Sequence, residues 1–229
     1  MLNKEILDKT NELLNDDIRI FDYVQVTRGF NSKQACQART YEYTLRTEVL
    51  RPSKKHPKYA ERDSWTFDKA EQSRFREILK QYEGTRKYHN FTKGGSFDDA
   101  SCARYIIDIT LSEPFEQEGM EFVRITLKGQ SFILHQIRKM IGTASIIFRD
   151  GAPAGVIHKF MEDMKIILPM VPGLGLTLLK CHFDSYEKKH CKNGVREPIT
   201  FLNCQDAVDQ FKKDQIYSAI YKKEKEENM

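Results

Sequence analysis

Arg138 is the side chain in Lys128-Gly-Gln-Ser-Phe-Ile-Leu-His-Gln-Ile-Arg-Lys-Met-Ile-Gly142 whose surroundings could hold an anion. Apolar residues fall at Ile133, Leu134, Ile137, Met140, Ile141, Ala144 and Phe148, which is helical spacing with one buried face. Arg138 lies just off that face, and its angular neighbours Ser131, Gly142 and Ser145 are small. A cation so flanked leaves room for another backbone or for an anionic group. The plainer reading, which spacing alone favours, is an arginine snorkelling from the rim of a core helix. A second candidate is Arg39, Tyr41 and Tyr43, which share one face of a strand and could stack a base and hold its phosphate. Against it, strand tyrosines are commonly core residues with hydroxyls at the edge. Tyr88-His-Asn-Phe-Thr92, followed by Lys93-Gly-Gly, could line a cleft, though capping of a helix exit is slightly favoured. His135 has no visible acid–base partner, Ser131 lacks a Gly-x-Ser-x-Gly setting, and Gly173-Leu-Gly175 is too short for a phosphate loop or dinucleotide fingerprint.

The elements that must position these residues follow from periodicity. Residues 2–15 read as a helix with Leu2, Ile6, Leu13 and Leu14 apolar, and 18–26 as a strand. A helix and one strand cannot bury their own faces, so this pair reads as the end of something larger. Residues 38–46 form a clearer strand, with Thr40, Glu42, Thr44 and Arg46 opposite the tyrosine face. Asp68-x-x-Glu71 opens a helix bearing Phe75, Ile78, Leu79 and Tyr82. Residues 104–111 and 121–128 read as an antiparallel pair, with Val123, Ile125 and Leu127 facing one way and Arg124, Thr126 and Lys128 the other. Gly151-Ala-Pro153 ends the long helix and starts another with Val156, Ile157, Phe160 and Met164 buried. Pro172-Gly-Leu-Gly turns into a strand at about 176–183, and the charged tail from Lys222 is expected to fray. The fold class is α+β, a mostly antiparallel or mixed sheet with helices packed on one face.

At 229 residues the chain can bury a sizeable core, and 40% hydrophobic with 31% charged residues is globular composition. No apolar run approaches the roughly 20 residues that span a bilayer, so no membrane partner is expected. Five cysteines with no Cys-x-x-Cys pair and six unclustered histidines predict reduced thiols and no metal site. Net charge is only +4, but Arg28 to Arg62 holds nine Lys/Arg against three Glu, a local +6 that suits a polyanion such as RNA. Solvated surface is the commoner origin of such a stretch. Met1-Leu-Asn-Lys-Glu-Ile shows no signal or transit pattern, which favours a nuclear or cytoplasmic product and leaves a mitochondrial one open.

Gly129-Gln-Ser-Phe-x-x-His-Gln-Ile-Arg-Lys-Met-Ile-Gly142 strongly resembles the TruA-type pseudouridine synthases, in particular their eukaryotic branch. Phe30-Asn-Ser-Lys, Ala38-Arg-Thr-Tyr-Glu-Tyr43, Gly84 through Thr92, Cys102-Ala-Arg-Tyr-Ile106, Pro172-Gly-Leu-Gly-Leu176 and Glu197-Pro198 follow in the family's order, over roughly 2–220. The resemblance implies isomerisation of uridine to pseudouridine in tRNA and some other RNAs, with no metal or organic cofactor. An Asp attacks the flipped-out nucleotide, the glycosidic bond breaks, and the uracil rotates and rejoins through C5. Tyr41 matches the pocket tyrosine that stacks on the base and assists proton removal from C5. Arg138 matches the arginine that pairs with the catalytic Asp. Arg39 and Tyr43 would lie near that pocket, and Arg28, Lys33, Arg124 and Lys128 would meet RNA phosphates.

The family's Asp lies in Gly-Arg-Thr-Asp-x-Gly-Val, a string absent from this sequence, and Asp8, Asp16, Asp17 and Asp22 stand in the wrong context to replace it. The expectation is that the motif precedes residues 2–15 and comes from an upstream segment or a second polypeptide. Residues 1–28 would then be a remnant of an N-terminal subdomain with exposed apolar surface, 29–221 the C-terminal catalytic subdomain, and 222–229 a charged tail. A homodimer or a complementing N-terminal segment are the expected protein partners. The competing reading is a non-catalytic RNA-binding protein that kept the cleft and lost the nucleophile.

Overall fold

A computed structural model describes residues 4–192, 194 and 196–227, so the expected apolar position Leu2 lies outside the described residues. The chain folds as two units, one of residues 37–182 and a second made of 1–36 with 183–229. That second grouping joins the two ends of the chain, which the sequence divisions at 28/29 and 221/222 do not express.

In residues 37–182, β1 (Ala38–Arg46) follows the alternation read above. It pairs antiparallel with β5 (Met120–Gly129) from Arg39↔Gly129 to Arg46↔Phe122, and on its other side with β6 (Leu176–His182). β2 (Gly84–Lys87) and β3 (Ala103–Leu111) complete the order β2-β3-β5-β1-β6. β4 (Phe115–Gln117), within the connection containing Pro114 and Gly119, pairs with β5. Every strand pair is antiparallel, so the unit is α+β with a six-stranded sheet.

Two helices pack on the face bearing Tyr43, Leu45, Val123, Ile125 and Leu127. The first, α3 (Lys69–Lys80), begins where Asp68 accepts the Glu71 backbone N–H at 2.9 Å, and buries Phe75, Ile78 and Leu79. Just beyond it the buried Tyr82 hydroxyl donates to the Met140 carbonyl at 2.8 Å. That acceptor belongs to the second helix, α4 (Gln136–Arg149), which buries Ile137, Met140, Ile141, Ala144 and Phe148.

The helix starts later than the apolar spacing suggested. Ile133 and Leu134 precede it, Leu134 is 64% exposed, and His135 adopts a left-handed φ of 67°. The Gln136 side-chain oxygen accepts the Ile133 N–H at 3.0 Å, stabilising a turn that is not helical. Ser131 is therefore no helical neighbour of Arg138. The helix expected after Pro153 is a single turn, α5 (Val156–Lys159), and Met164 is exposed rather than buried. Asn90 explains the early end: its side chain donates to the Phe160 and Met164 carbonyls at 2.9 and 2.8 Å and accepts the Ile166 N–H at 3.1 Å. Backbone groups committed to Asn90 cannot continue a helical ladder.

Residues 169–175 close over α4 and β1. A Cβ on Gly142 would lie 2.8 Å from the Pro169 carbonyl oxygen, and one on Gly175 would lie 2.5 Å from the Thr44 oxygen. Both sites need glycine because backbone meets backbone there.

The second unit holds α1 (Lys4–Glu12), the single turn α2 (Ser32–Ala35), α6 (Asp184–His190) and α7 (Gln205–Phe211). A π-helical stretch, Lys212–Tyr217, leads into α8 (Ser218–Glu227). The expected strand at 18–26 is irregular. No strand pairs with it among the described residues, and the Asn11 side chain takes the Ile20 N–H and C=O at 2.9 and 2.8 Å. Alternation without a ladder partner does not make a strand. The charged tail expected to fray from Lys222 is helical in α8 as far as Glu227. Buried Tyr217, Ile220 and Tyr221 anchor its start, and Lys223 lies 3.7 Å from Glu227 one turn on. Ile6, Leu13 and Ile18 are exposed, Leu13 at 87%, in keeping with the expected apolar surface.

The packing of residues 37–182 sets two expectations for stability. Alanine in place of glycine ordinarily favours a helix by about 1 kcal/mol. At Gly142 the approach of the Pro169 carbonyl outweighs that gain, so Gly142→Ala should destabilise by about 1–3 kcal/mol in urea unfolding. A gain in stability would refute the packing argument. His56 is buried and its Nδ1 accepts the Lys58 N–H at 2.9 Å. Burial, then the Arg74 charge, lowers its pKa. Below the ordinary histidine value the unfolded chain binds more protons than the folded one, so stability is full above about pH 6.5 and falls as pH drops. The urea midpoint should fall from pH 7.5 to 5, and His56→Gln should flatten that fall.

Candidate active site

Tyr41 lies on the helix-covered face of β1, between Leu127 of β5 and Leu178 of β6, and is half-buried. Its ring meets Phe132 edge-on with centroids 5.2 Å apart. Phe132 in turn presses on Gly129, where a Cβ would lie 2.7 Å from the ring, so the strand must end on glycine for Phe132 to reach the tyrosine. This edge-to-face pair fixes the tilt of Tyr41 while leaving part of its ring accessible. Arg39 stands two residues away on the same face, opposite Gly129 and Cys181, also half-buried.

Arg138 occupies the first turn of α4 and is half-buried. Its Nε–H donates to the Val171 carbonyl at 2.7 Å, and the Val171 N–H returns a bond to the Arg138 carbonyl at 3.3 Å. Gly173 lies against the guanidinium, with a Cβ position 3.6 Å from both Cζ and Nη1. Among the described residues no carboxylate pairs with this cation. The small neighbour Gly142 does admit another backbone, that of Pro169 and Met170. The terminal nitrogens remain available for a second, anionic partner.

The other expected residues are placed differently. Tyr43 is 3% exposed, its ring is in the core, and its hydroxyl donates to the Pro172 carbonyl at 2.9 Å. It offers no stacking surface. Arg124 and Lys128 face away from Tyr41, because they are in register with Thr44 and Thr40. The Arg124 guanidinium stands 4.5 Å over the Phe115 ring and 4.0 Å from the buried Glu42 carboxylate. Arg28 and Lys33 are exposed in the unit of 4–36 and 183–227. Tyr41 thus stands on β1 against Phe132 of the 130–135 link, with Arg39 two residues away, and Arg138 stands against the 171–175 turn.

Sequence reasoning missed Phe132, Val171 and Lys139. Lys139 donates from Nζ to the Asn90 and Thr92 carbonyls at 3.0 Å each, and burial lowers its pKa. Tyr88 to Phe91, read as a cleft lining or a cap, is buried instead, and His89 Nε2 meets the Met164 carbonyl at 3.0 Å. The glycine three residues before Phe132 was the available signal for that ring. The carbonyl acceptors had none, since any residue supplies one. Among the described residues no three His, Cys, Asp or Glu group as metal ligands, and no helix is long and apolar enough to cross a membrane.

Residues 78–184, which include β3, β5, Phe132 and Arg138, match the family model described as tRNA pseudouridine synthase. The chain is 37% identical over 223 residues to the pseudouridylate synthase 1 homolog of Mus musculus, covering 97% of this chain and 52% of that protein. It is 31% identical over 313 aligned positions to the tRNA pseudouridine synthase 1 of Candida albicans, covering 98% of this chain and 51% of the relative. With the Eremothecium gossypii protein of the same name, identity is 42% over 172 residues, 74% of this chain and 32% of the relative. The chain spans about half the length of the curated relatives it matches first. Matched across 78–184 and alike to such relatives along nearly all its own length, the chain is similar to the tRNA pseudouridine synthases.

Proposed function

We propose that this chain provides the base-binding and arginine-bearing part of an enzyme that converts uridine to pseudouridine in tRNA and other structured RNA. The observation that carries the reading is Arg138, held at Nε by a backbone carbonyl and lacking a carboxylate among the described residues. A guanidinium fixed at one edge presents its other edge to a carboxylate in the two-pronged geometry the pair prefers. In this reading the carboxylate belongs to an aspartate outside these 229 residues. It attacks C1′ of a nucleotide flipped from its stack as the C1′–N1 bond breaks, the uracil turns and bonds C1′ through C5 as the carboxylate leaves, and C5 then loses its proton while N1 gains one. Tyr41, braced by Phe132, stacks on the uracil, and its hydroxyl assists loss of the C5 proton. Arg39 and the exposed Arg28 and Lys33 neutralise phosphates, so RNA binding weakens as salt rises. Arg124 and Lys128 serve phosphates only on the opposite face of the sheet. The complementing segment is the partner this reading requires, with residence in the nucleus or cytoplasm where tRNA is processed.

The test compares the chain alone with the chain fused behind a segment carrying the family's Gly-Arg-Thr-Asp-x-Gly-Val string. Release of tritium from [5-³H]uridine in a tRNA transcript reports the reaction. The chain alone should bind tRNA weakly and release none. The fusion should release it, and Tyr41→Phe or Arg138→Lys within the fusion should slow release on the order of 100-fold. Tritium release by the chain alone, reduced by Tyr41→Phe, would refute the external carboxylate. A folded, tRNA-binding fusion that releases nothing would leave the non-catalytic RNA binder as the better reading.

A further inference from the structure

We propose that Tyr43 is a positioning residue for Arg138, acting through the turn at 171–175 rather than through RNA. This rests on the reading of Arg138 as the holder of the attacking carboxylate. The Tyr43 hydroxyl donates to the Pro172 carbonyl at 2.9 Å, and the preceding carbonyl, that of Val171, is the one that receives Arg138 Nε–H at 2.7 Å. Two consecutive carbonyls are thus taken by two side chains from different elements, one from β1 and one from α4.

The rest of the turn leaves this pair little freedom. Leu176 N–H closes onto the Gly173 carbonyl at 3.1 Å, and Thr44 N–H donates to the Gly175 carbonyl at 3.0 Å. The Gly175 backbone lies on the tyrosine ring itself, with a Cβ position 3.1 Å from Tyr43 Cζ. Gly173 covers one side of the guanidinium. The tyrosine therefore sets the height of the turn above the sheet, and the turn sets the direction of the guanidinium. An arginine has several rotatable bonds and a planar fork. Fixing Nε fixes the plane in which the terminal nitrogens meet a carboxylate. Tyr41 and Tyr43 then divide the labour of one strand face, with the outer ring open to the base and the inner hydroxyl bracing the cation.

The test reads the Arg138 Nε–H signal by NMR in the ¹⁵N-arginine-labelled chain, assigned by its loss in Arg138→Lys. Tyr43→Phe keeps the ring and removes only the hydroxyl. Solvent exchange of Arg138 Nε–H should rise roughly 2- to 10-fold, the range expected for loss of one hydrogen bond. Arg74 Nε–H, bonded to Glu71 at 3.1 Å, should exchange as before. Gly175→Ala, whose methyl would push the turn away from Tyr43 and Thr44, should raise Arg138 exchange in the same way. Unchanged Arg138 exchange in Tyr43→Phe, or an equal rise at Arg74 that marks general loosening, would overturn the proposal. The readout needs neither RNA nor reaction. A positive NMR result beside an inactive fusion would leave the seat of the guanidinium established and the enzymatic reading refuted.

Discussion

A guanidinium at the first turn of a core helix cannot be left wholly to the interior, because an unpaired buried charge costs several kcal/mol. Arg138 is half-buried and gives Nε–H to the Val171 carbonyl, while among the described residues no carboxylate pairs with it. That single bond depends on a turn brought against α4 at one end and β1 at the other. The turn can approach so closely only because Gly142 and Gly175 present no side chain. The candidate site is therefore built from backbone contacts, with the candidate side chains resting on them.

The sheet imposes a second constraint. Successive side chains of a strand point to opposite faces, so β1 assigns Tyr41 and Tyr43 to the helix side and Glu42 to the other. β5, in register with it, assigns Leu127 with the tyrosines and Arg124 with Glu42. Cations close in sequence can thus be separated by the thickness of a sheet. Arg124, between an aromatic ring and a buried carboxylate, fits a structural part as well as it fits an RNA contact.

Polar groups inside residues 37–182 hold its irregular segments. Asn90, His89 and Lys139 spend their donors and acceptors on carbonyls and an amide of 90–92 and 160–166. Backbone that is neither helix nor strand must find partners somewhere, and here a buried asparagine supplies three of them. This explains why apolar spacing after Pro153 did not extend into a helix.

Much of the scaffold was legible in the sequence because it rests on period and side-chain identity. Alternation from 38 to 46 determined which residues share a face, and Asp68 three residues before Glu71 determined where α3 begins. The Gly129–Gly142 stretch identified Arg138 as the cation to examine. Tertiary structure alone decided that α4 starts at Gln136, that 18–26 is irregular, and that Tyr43 is buried with its hydroxyl on the Pro172 carbonyl rather than offered as a stacking surface. It also decided which partner fills the space beside Arg138. These outcomes depend on carbonyl oxygens and amide hydrogens brought from distant positions. Such groups are the same in nearly every residue, so no letter of the sequence marks the ones that will be used.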